Sequence, residues 1–366
     1  MTLISGVLPT LIILCVLILI HEWGHYLACL VSGVRVERFS LGFGPEIFHL
    51  KRGHTTYAVS LFPIGGYVKP SGESISEIGS AGLQPYDYLA APVWKRIFIV
   101  IAGVLMNYLL ALVLFVAIFL IGRPVPLAQV GEFVKGYPAE ASGLAVGDRI
   151  LAVGGTAVDS WEDFFQAMNR VKGAEAFLRI QRDGQIREFH VPLKVEEVRD
   201  IFGKAHSLPR IGIRPDPKAY RIERLSLGPA LYRSLESEAY LTGMTYKGFY
   251  YLLTGRLSVK TLSGPLGIMR ATGSAAKMGV VFLLNLTAIL SISLAVINLL
   301  PIPALDGGHL FFLLIEAVGR RKVSPEFQER CTQIGFALLM LLTVFVFYND
   351  LVNLQILDRV KSALAR

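Results

Sequence analysis

The chain has 366 residues, of which 53% are hydrophobic and 17% are charged, and its mean hydropathy is +0.53. This composition is too apolar for an ordinary soluble domain and predicts several membrane spans. The net charge of +8 comes from Lys and Arg residues scattered over many short connections, so attraction to anionic lipid explains it more simply than nucleic-acid binding does.

The first apolar run, residues 2–20, ends in the pentad HEWGH at residues 21–25. This H-E-x-x-H pattern places two imidazoles one helical turn apart with a carboxylate beside them, which is the zinc-site pattern of metalloproteases. Ionisable groups at membrane depth are costly and usually functional. The run has no preceding basic residue and no small-residue cleavage site, so a retained span is predicted rather than a cleaved signal peptide.

Charge-free stretches of sufficient length predict three further spans. The predicted segments, in chain order, are a first span with the zinc motif (1–32), a membrane-associated β hairpin and loop on the cytoplasmic side (33–93), a second span (94–122), an inserted extracytoplasmic domain (123–217), an interfacial amphipathic helix and linker (218–277), a third span (278–306), a cytoplasmic loop (307–330), a fourth span (331–350) and a C-terminal tail (351–366).

Residues 34–70 alternate apolar and polar side chains and are punctuated by glycines, including Gly65 and Gly66. This pattern is typical of strands and turns. Such backbone enters a membrane only where protein buries it or where it lines a wet cavity. A hairpin beside the zinc motif could present an edge to an extended substrate. An ordinary cytoplasmic hairpin is the alternative.

The insert has the composition of a soluble domain. Short alternating strands are predicted at 177–181 and 188–191 around an Arg-Asp-Gly turn at 182–184, and a helix is predicted at 161–171. The aromatic-rich amphipathic stretch 227–254 is predicted to lie at the membrane interface; a packed helix of the insert is the alternative.

Orientation follows from the basic residues of the short connections. Lys95 and Arg96 precede the second span, and residues 320–322 form a basic cluster between the third and fourth. The positive-inside bias predicts that both connections are cytoplasmic. The insert and both termini then lie on the other side, and the zinc pentad lies toward the cytoplasmic half of the bilayer.

A catalytic zinc requires three protein ligands and one open position, and the pentad supplies two, His21 and His25. Asp306 follows a proline-broken stretch and is the predicted third ligand, although an aspartate there could instead cap the next helix. His309 is a rival ligand. Cys29 shares the face of both histidines and is another candidate, although a membrane-helix cysteine is more often a packing residue.

With His21, His25 and Asp306 on one zinc ion per chain, Glu22 has a defined role. It would take a proton from the metal-activated water and return it to the leaving amide nitrogen. The sequence therefore predicts a peptide-hydrolysing metal site within a polytopic α-helical membrane protein.

The two motifs together resemble the site-2 protease family of intramembrane zinc metalloproteases, in particular its bacterial RseP-type branch. The motif at 21–25 is similar to the family's zinc motif, and NLLPIPALDG at 298–307 is similar to its second motif, whose Asp is the third ligand. GGYVK at 65–69 resembles its membrane-associated β segment, and SGPLGI at 263–268 a stretch before the third span. The resemblance implies substrate contacts from Asn298, Pro301, Gly65, Gly66 and Tyr67.

The insert resembles a bacterial periplasmic PDZ domain through PAEASGLAVGDRI at 138–150, followed by Val-Gly-Gly at 153–155. The predicted fold class is thus four transmembrane helices with a membrane-associated β segment and one inserted α+β PDZ-like domain. PDZ domains bind extended peptides by strand addition. In the family they are thought to act as a size filter. Tandem PDZ domains characterise the enterobacterial proteins of this branch, whereas this chain has room for one.

The resemblance implies cleavage of single-pass membrane proteins within their transmembrane segments, in a bacterial inner membrane. Pre-cleaved anti-sigma factors and remnant signal peptides are the implied substrates, and no nucleic-acid partner is expected. A PDZ-bearing scaffold or quality-control binder that captures peptides without cutting is the alternative, although such a binder does not need Glu22. A transporter is disfavoured because the chain has four spans and no internal repeat.

Overall fold

The computed structural model describes residues 2–73, 82–199, 205–321 and 323–353. Its long helices are α1 (Thr2–Ser32), α2 (Val93–Ile121), α5 (Leu227–Leu253), α6 (Pro265–Met278), α7 (Val280–Leu299), α8 (Asp306–Gly319) and α9 (Pro325–Asn353). Helices α1, α2, α7 and α9 are long and apolar enough to cross a membrane, over Gly6–Ser32, Val93–Ile121, Val280–Leu299 and Glu326–Asn353. The polytopic helical architecture predicted from composition is therefore present.

The chain divides into two compact units. The first, the helical unit, comprises residues 1–118, 227–253 and 258–366. Within it α1 packs against α6, and α7 packs against both α5 and α6. The second, the inserted unit, comprises residues 119–226 and 254–257.

Two long strands, β1 (Val36–Arg52) and β2 (Thr55–Pro70), form the β segment of the helical unit. The C-terminal part of β1 pairs with the first half of β2, from Glu46↔Ser60 to Arg52↔Thr55. The N-terminal part of β1 pairs with the end of β2, from Arg38↔Lys69 to Leu41↔Gly66. The strands therefore fold back on themselves, and the register shifts where glycines allow sharp bends.

The inserted unit is an α+β domain. Its elements are β3 (Arg123–Pro126), β4 (Val130–Phe133), α3 (Pro138–Ala141), β5 (Arg149–Val153), β6 (Thr156–Ala157), α4 (Trp161–Arg170), β7 (Glu175–Arg182), β8 (Gln185–Pro192), β9 (Lys194–Arg199), β10 (Ala205–Arg210), β11 (Ile213–Pro215) and β12 (Tyr220–Glu223). Strands β6-β5-β7-β8 form one antiparallel sheet, and β9–β10, β4–β11 and β3–β12 pair separately.

The core of the inserted unit arises from strict alternation along its strands. Ala176, Leu178 and Ile180 of β7 are fully buried, and they pack with Phe164 and Met168 of α4. The turn between β7 and β8 is the predicted one, because Asp183 and Gly184 both have positive φ, as a two-residue hairpin requires. Helix α4 begins with a complete capping box between Ser160 and Asp163.

Several predicted boundaries need correction. The third span was predicted to run from 278 to 306, but α7 starts after Gly279 and ends at Leu299, since Pro301 and Pro303 cannot continue a helix. The predicted loop 307–330 contains most of α8 and the start of α9. The linker within 218–277 contains α6, and the insert extends beyond 217 to β12. The predicted basic cluster includes residue 322, and the predicted tail mostly 354–366, both outside the described residues.

Candidate metal centre

The two histidines of the pentad lie on one face of α1, as their spacing predicts. The imidazole Nε2 atoms of His21 and His25 are 3.2 Å apart, and the two rings meet edge to face. His21 is buried, with 6% of its surface exposed. Two ring nitrogens at this distance either share a proton or converge on a cation.

The bend between α7 and α8 delivers the carboxylate of Asp306 to the same point. Its Oδ2 atom lies 3.0 Å from His21 Nε2 and 3.5 Å from His25 Nε2. The oxygen is buried, yet it has no hydrogen-bond partner among the described residues. A buried carboxylate oxygen without a donor is expensive unless a cation satisfies it. His21, His25 and Asp306 form the cluster of metal-ligating side chains found within the described residues.

The geometry of the bend explains how Asp306 reaches the site. Ala304 adopts a positive φ of 90°, which is strained for a residue with a side chain. Gly307 packs directly on the end of α7, because a Cβ added there would lie 2.1 Å from the carbonyl oxygen of Leu300. The glycine is therefore required for the turn, and Asp306 is fixed at the first position of α8.

Helix α2 supports the histidines from behind. The Nδ1 atom of His25 lies 2.8 Å from the carbonyl oxygen of Ile99, so it can donate a hydrogen bond there and leave Nε2 free to bind a metal. A Cβ on Gly103 would lie 2.3 Å from His25 Nε2, so this position must lack a side chain. Gly24 of the pentad packs against Ala102 in the same way. It thus serves helix–helix contact.

These α2 residues did not emerge from the motifs. The available signal was the spacing of Ile99, Gly103 and Asn107, which recur every four residues and so share one face of the helix. A glycine and an asparagine on one face of an apolar span indicate close packing against a polar group.

Glu22 lies between the metal cluster and the β segment. A Cβ on Gly66 would lie 3.2 Å from the Glu22 Cγ atom, so the end of β2 passes immediately beside this side chain. The backbone amide of Val68 hydrogen-bonds to the Glu22 carboxylate. The carboxylate is thus held at the edge of the β segment, on the side of the two histidines.

The other candidate residues lie in different surroundings. Cys29 is completely buried among apolar neighbours that include Ala28, Ile99 and Ala102, and it is not part of the metal cluster. His309 lies one turn into α8 and is also outside the cluster. The described residues therefore bring only Asp306 to the two histidines.

The predicted substrate-binding residues divide into two groups. The side-chain amide nitrogen of Asn298 lies 3.3 Å from His21 Nε2, whereas Pro301 is exposed on the bend. On the β segment, Tyr67 stacks on Phe43, and Gly65 has a positive φ with no room for a side chain beside that ring. Gly66 lies against Glu22, as described above. Asn298 thus contacts the cluster at His21, and Gly66 contacts Glu22.

Comparison with known proteins agrees with this geometry. Residues 9–342 match the model of Peptidase family M50. A predicted zinc metalloprotease of Rhizobium meliloti (strain 1021) is 35% identical over 360 residues, covering 94% of this chain and 96% of the relative. The zinc metalloprotease RasP of Oceanobacillus iheyensis is 30% identical over 417 residues, covering 93% and 97%. RasP of Geobacillus kaustophilus is 29% identical over 423 residues, covering 95% and 98%.

The match spans the pentad, the bend and the inserted unit, and its length far exceeds half of the chain. It confirms the resemblance read from the motifs at 21–25 and 298–307. This protein is a membrane peptidase that belongs to Peptidase family M50, the site-2 protease family.

Proposed function

We propose that this chain is an intramembrane zinc endopeptidase that cleaves transmembrane segments of single-pass membrane proteins. The observation that carries the proposal is the convergence of His21, His25 and Asp306, with the buried Oδ2 atom of Asp306 lacking a hydrogen-bond partner among the described residues. The helices that supply these ligands are apolar enough to lie in a bilayer or adjoin such a span. One zinc ion per chain is proposed.

The ligand set fits zinc in both chemistry and size. Two imidazoles and one carboxylate are a common catalytic zinc set, with a fourth position left open for water. Zinc–ligand lengths of about 2.0–2.1 Å imply ligand–ligand separations of about 3.3 Å in a tetrahedral site. The three separations here are 3.2, 3.0 and 3.5 Å. The site therefore has the dimensions of a zinc centre.

Glu22 is proposed as the general base and acid. When bound, zinc supplies a Lewis acid for the scissile carbonyl and makes a water molecule acidic near neutral pH. Glu22 accepts a proton from that water and returns it to the leaving amide nitrogen. Its position next to both histidines on α1 supports this role.

The edge formed by the end of β2 is proposed to hold the substrate. A transmembrane helix buries its amide bonds in internal hydrogen bonds, so it must be extended before a peptide bond can reach the metal. Strand addition along Gly66 and Tyr67 would extend the chain next to Glu22. Asn298, on the other side of the cluster, could hydrogen-bond the substrate near the scissile bond. Gly65 and Pro301 are proposed to shape the path by which the substrate reaches the metal cluster.

The tip of the β segment supports its association with the bilayer. Phe43, Ile47, Phe48 and Phe62 are each 48–66% exposed. Exposed apolar patches of this kind mark contact with lipid or a partner. We propose that these four side chains contact lipid.

The inserted unit is proposed to be a PDZ-like peptide-binding domain. A cavity of about 330 Å³ lies between α4 and the strands β10 and β11. Its lining is apolar on one part, with Phe164, Met168 and Ile213, and charged on another, with Glu196 and Arg210. An extended peptide with apolar side chains fits such a groove. We propose that the domain selects substrates already shortened outside the membrane.

The proposed location is a bacterial cytoplasmic membrane, with the inserted unit and both termini extracytoplasmic. Arg96 at the start of α2 forms a bidentate ion pair with Glu316 near the end of α8. The basic connection before α2 and the basic connection after α8 therefore lie at the same end of the helical unit. A shared cytoplasmic side requires this arrangement. Anti-sigma factors and remnant signal peptides are the proposed substrates.

The decisive experiment is Glu22→Gln in the full chain, with zinc content and cleavage of a model transmembrane substrate measured together. We expect zinc to be retained and cleavage to fall at least about 100-fold, because the ligands remain while the base is lost. Glu236→Gln, an exposed glutamate on α5, is the control and should cut normally. Unchanged turnover in Glu22→Gln would refute its role. A wild-type protein that binds the substrate but never cuts it would favour the scaffold alternative.

A further inference from the structure

The buried side chain of Asn107 is a polar group that the mechanism above does not use. It lies in the middle of α2 and is completely buried. Its amide nitrogen is 3.3 Å from the Nδ1 atom of His21. Its amide oxygen is buried and has no hydrogen-bond partner among the described residues. An asparagine buried in an apolar span with one unsatisfied atom requires an explanation.

The tautomer of His21 supplies that explanation. Its Nε2 atom faces His25 and Asp306, so binding a metal uses the lone pair on Nε2. A neutral imidazole then carries its proton on Nδ1, which becomes a hydrogen-bond donor. An amide nitrogen cannot accept that proton, whereas an amide oxygen can.

Rotating the carboxamide of Asn107 by half a turn exchanges its oxygen and nitrogen without changing its shape. The oxygen then lies at the position 3.3 Å from His21 Nδ1 and accepts its proton. The same rotation removes the unsatisfied buried oxygen. One change therefore satisfies the Asn107 oxygen and the His21 Nδ1 proton together, and it moves the amide nitrogen to the place that the oxygen held.

Neighbouring contacts fix Asn107 in place for this role. Its backbone carbonyl accepts a hydrogen bond of 2.8 Å from the hydroxyl of Ser291 on α7. His25 already has the matching partner, since its Nδ1 can donate to the carbonyl oxygen of Ile99 two turns earlier on α2. Each imidazole thus has an acceptor behind it, and both acceptors come from one face of α2.

We propose that Asn107 is a positioning residue of the metal centre: its side-chain oxygen accepts the Nδ1 proton of His21 and so directs Nε2 to the metal. This inference rests on the proposed function, because it assumes that His21 binds metal through Nε2. Asn298 lies near the opposite nitrogen of the same ring and has a different role. Partners of metal-ligating histidines typically contribute 10–100-fold in metal affinity.

The test uses the full chain in detergent, stripped of metal and titrated with Zn²⁺ against a competing chelator. Asn107→Leu removes the acceptor at similar volume and should weaken zinc binding 10–100-fold. Asn107→Asp keeps an acceptor and removes the donor, so it should bind zinc at least as tightly as the wild type. Ser293→Ala, the matched control on α7, removes a hydroxyl that hydrogen-bonds to the carbonyl oxygen of Ile289 in its own helix, and it should bind zinc normally.

A second readout reports the tautomer directly. With ¹⁵N-labelled histidine, the ring-nitrogen shifts of zinc-bound His21 should show a protonated Nδ1 in the wild type and in Asn107→Asp. Loss of zinc binding in Asn107→Asp would overturn the proposal, because it would show that the amide donates to Nδ1. Wild-type affinity in a folded Asn107→Leu protein would overturn it as well. If Asn107→Leu does not fold, the Asp variant alone decides between an accepting and a donating amide.

The proposed function fails in a distinguishable way. His21→Ala would then bind zinc as tightly as the wild type, whatever residue occupies position 107.

Discussion

Two helix junctions in the helical unit each place an aspartate with a buried carboxylate oxygen beside glycine and proline, and the hydrogen bonds of the two aspartates differ completely. At the junction of α6 and α9, Asp350 accepts three backbone hydrogen bonds of 2.9–3.0 Å, from Gly264, Leu266 and Gly267. At the junction of α7 and α8, Asp306 directs its Oδ2 atom at two imidazoles, and this oxygen has no hydrogen-bond partner among the described residues.

The comparison shows how to separate a structural carboxylate from a functional one. Asp350 caps the start of α6 from a different helix, where the amides and the helix dipole favour a negative charge. Its charge is fully satisfied within the protein. Asp306 is satisfied only when a cation joins the site. Two aspartates beside glycine and proline thus serve two purposes, and their hydrogen bonds distinguish them.

The sharpest test replaces each aspartate by asparagine. Asp306→Asn should lower zinc affinity by more than about 100-fold, since a direct ligand contributes more than the outer partners, whose loss costs about 10–100-fold. It should leave the metal-free protein folded. Zinc content and chelator competition measure the effect. Cys29→Ala and His309→Ala are controls that should bind zinc normally, and a larger effect from either would overturn the ligand assignment.

Asp350→Asn should lower the stability of the fold and leave zinc affinity unchanged. It places an amide N–H₂ group among backbone donors and removes the charge that they stabilise, at a cost of about 3 kcal/mol or more. The denaturation midpoint in bicelles should fall, while zinc affinity per folded molecule should stay unchanged. Equal loss of zinc affinity in both variants would mean that hydrogen-bond satisfaction does not separate the two sites.

The second test concerns the far end of α8, the helix that begins with Asp306. The ion pair of Arg96 and Glu316 is buried, with side chains only 6% and 15% exposed. Removing one partner leaves an uncompensated buried charge, so Arg96→Met should destabilise the protein by about 3–5 kcal/mol. The double variant Arg96→Met, Glu316→Leu should recover most of this loss. Thermal unfolding in detergent measures both, and a double variant no better than the single would contradict the ion-pair interpretation.

The sequence predicts those features of the metal site that depend on local patterns, and it does not predict those that depend on tertiary packing. The pentad and the bend are local patterns, so His21, Glu22, His25 and Asp306 could be named from spacing and polarity. The end of α7 at Leu299 could not be predicted, because prolines show that a helix breaks but not the geometry of the break. The positive φ of Ala304 could not be predicted either, because it depends on packing.

Contacts between distant segments were even less predictable. Asn107, Gly103 and Ile99 act on the site from a helix with no motif of its own, and Arg96 and Glu316 are separated by 220 positions. The alternating strands of the inserted unit, in contrast, were predictable because a hydrophobic core follows from period-two patterning. The core of the inserted unit is encoded by pattern, and the surroundings of the metal cluster by a few long-range polar contacts.

The third test uses glycines. A side chain at Gly103 would collide with the imidazole of His25, so Gly103→Ala should weaken zinc binding and cost about 1–3 kcal/mol of stability through overpacking. Gly243 lies on α5 with open space around it, and Gly243→Ala should be neutral or stabilising by up to about 1 kcal/mol. Zinc titration of both variants separates a steric effect at the site from a general response to alanine.

The smallest expected effect concerns Glu238, a third carboxylate with a buried oxygen. It lacks the backbone amides that surround Asp350 and the imidazoles that surround Asp306. Glu238 on α5 is 9% exposed, and its Oε1 atom has no hydrogen-bond partner among the described residues. Burial raises the pKa of Glu238 to about 7. Because the folded protein holds this proton while the unfolded chain releases it near pH 4.5, stability should fall as pH rises from about 4.5 to 7 and then level off.

Glu238→Gln removes the titrating group and should abolish this slope, so the variant should be more stable than the wild type above pH 7 by about 1–2 kcal/mol. Unfolding midpoints of both proteins at pH 5, 6, 7 and 8 measure the difference. The two curves should converge toward pH 5, since the protonated glutamic acid and the glutamine are then both neutral and similar in shape. Parallel curves across the range would show that Glu238 keeps its charge in the folded protein. Absence of a hydrogen-bond donor would then not be enough to mark a carboxylate as unsatisfied, which would weaken the same inference at Asp306.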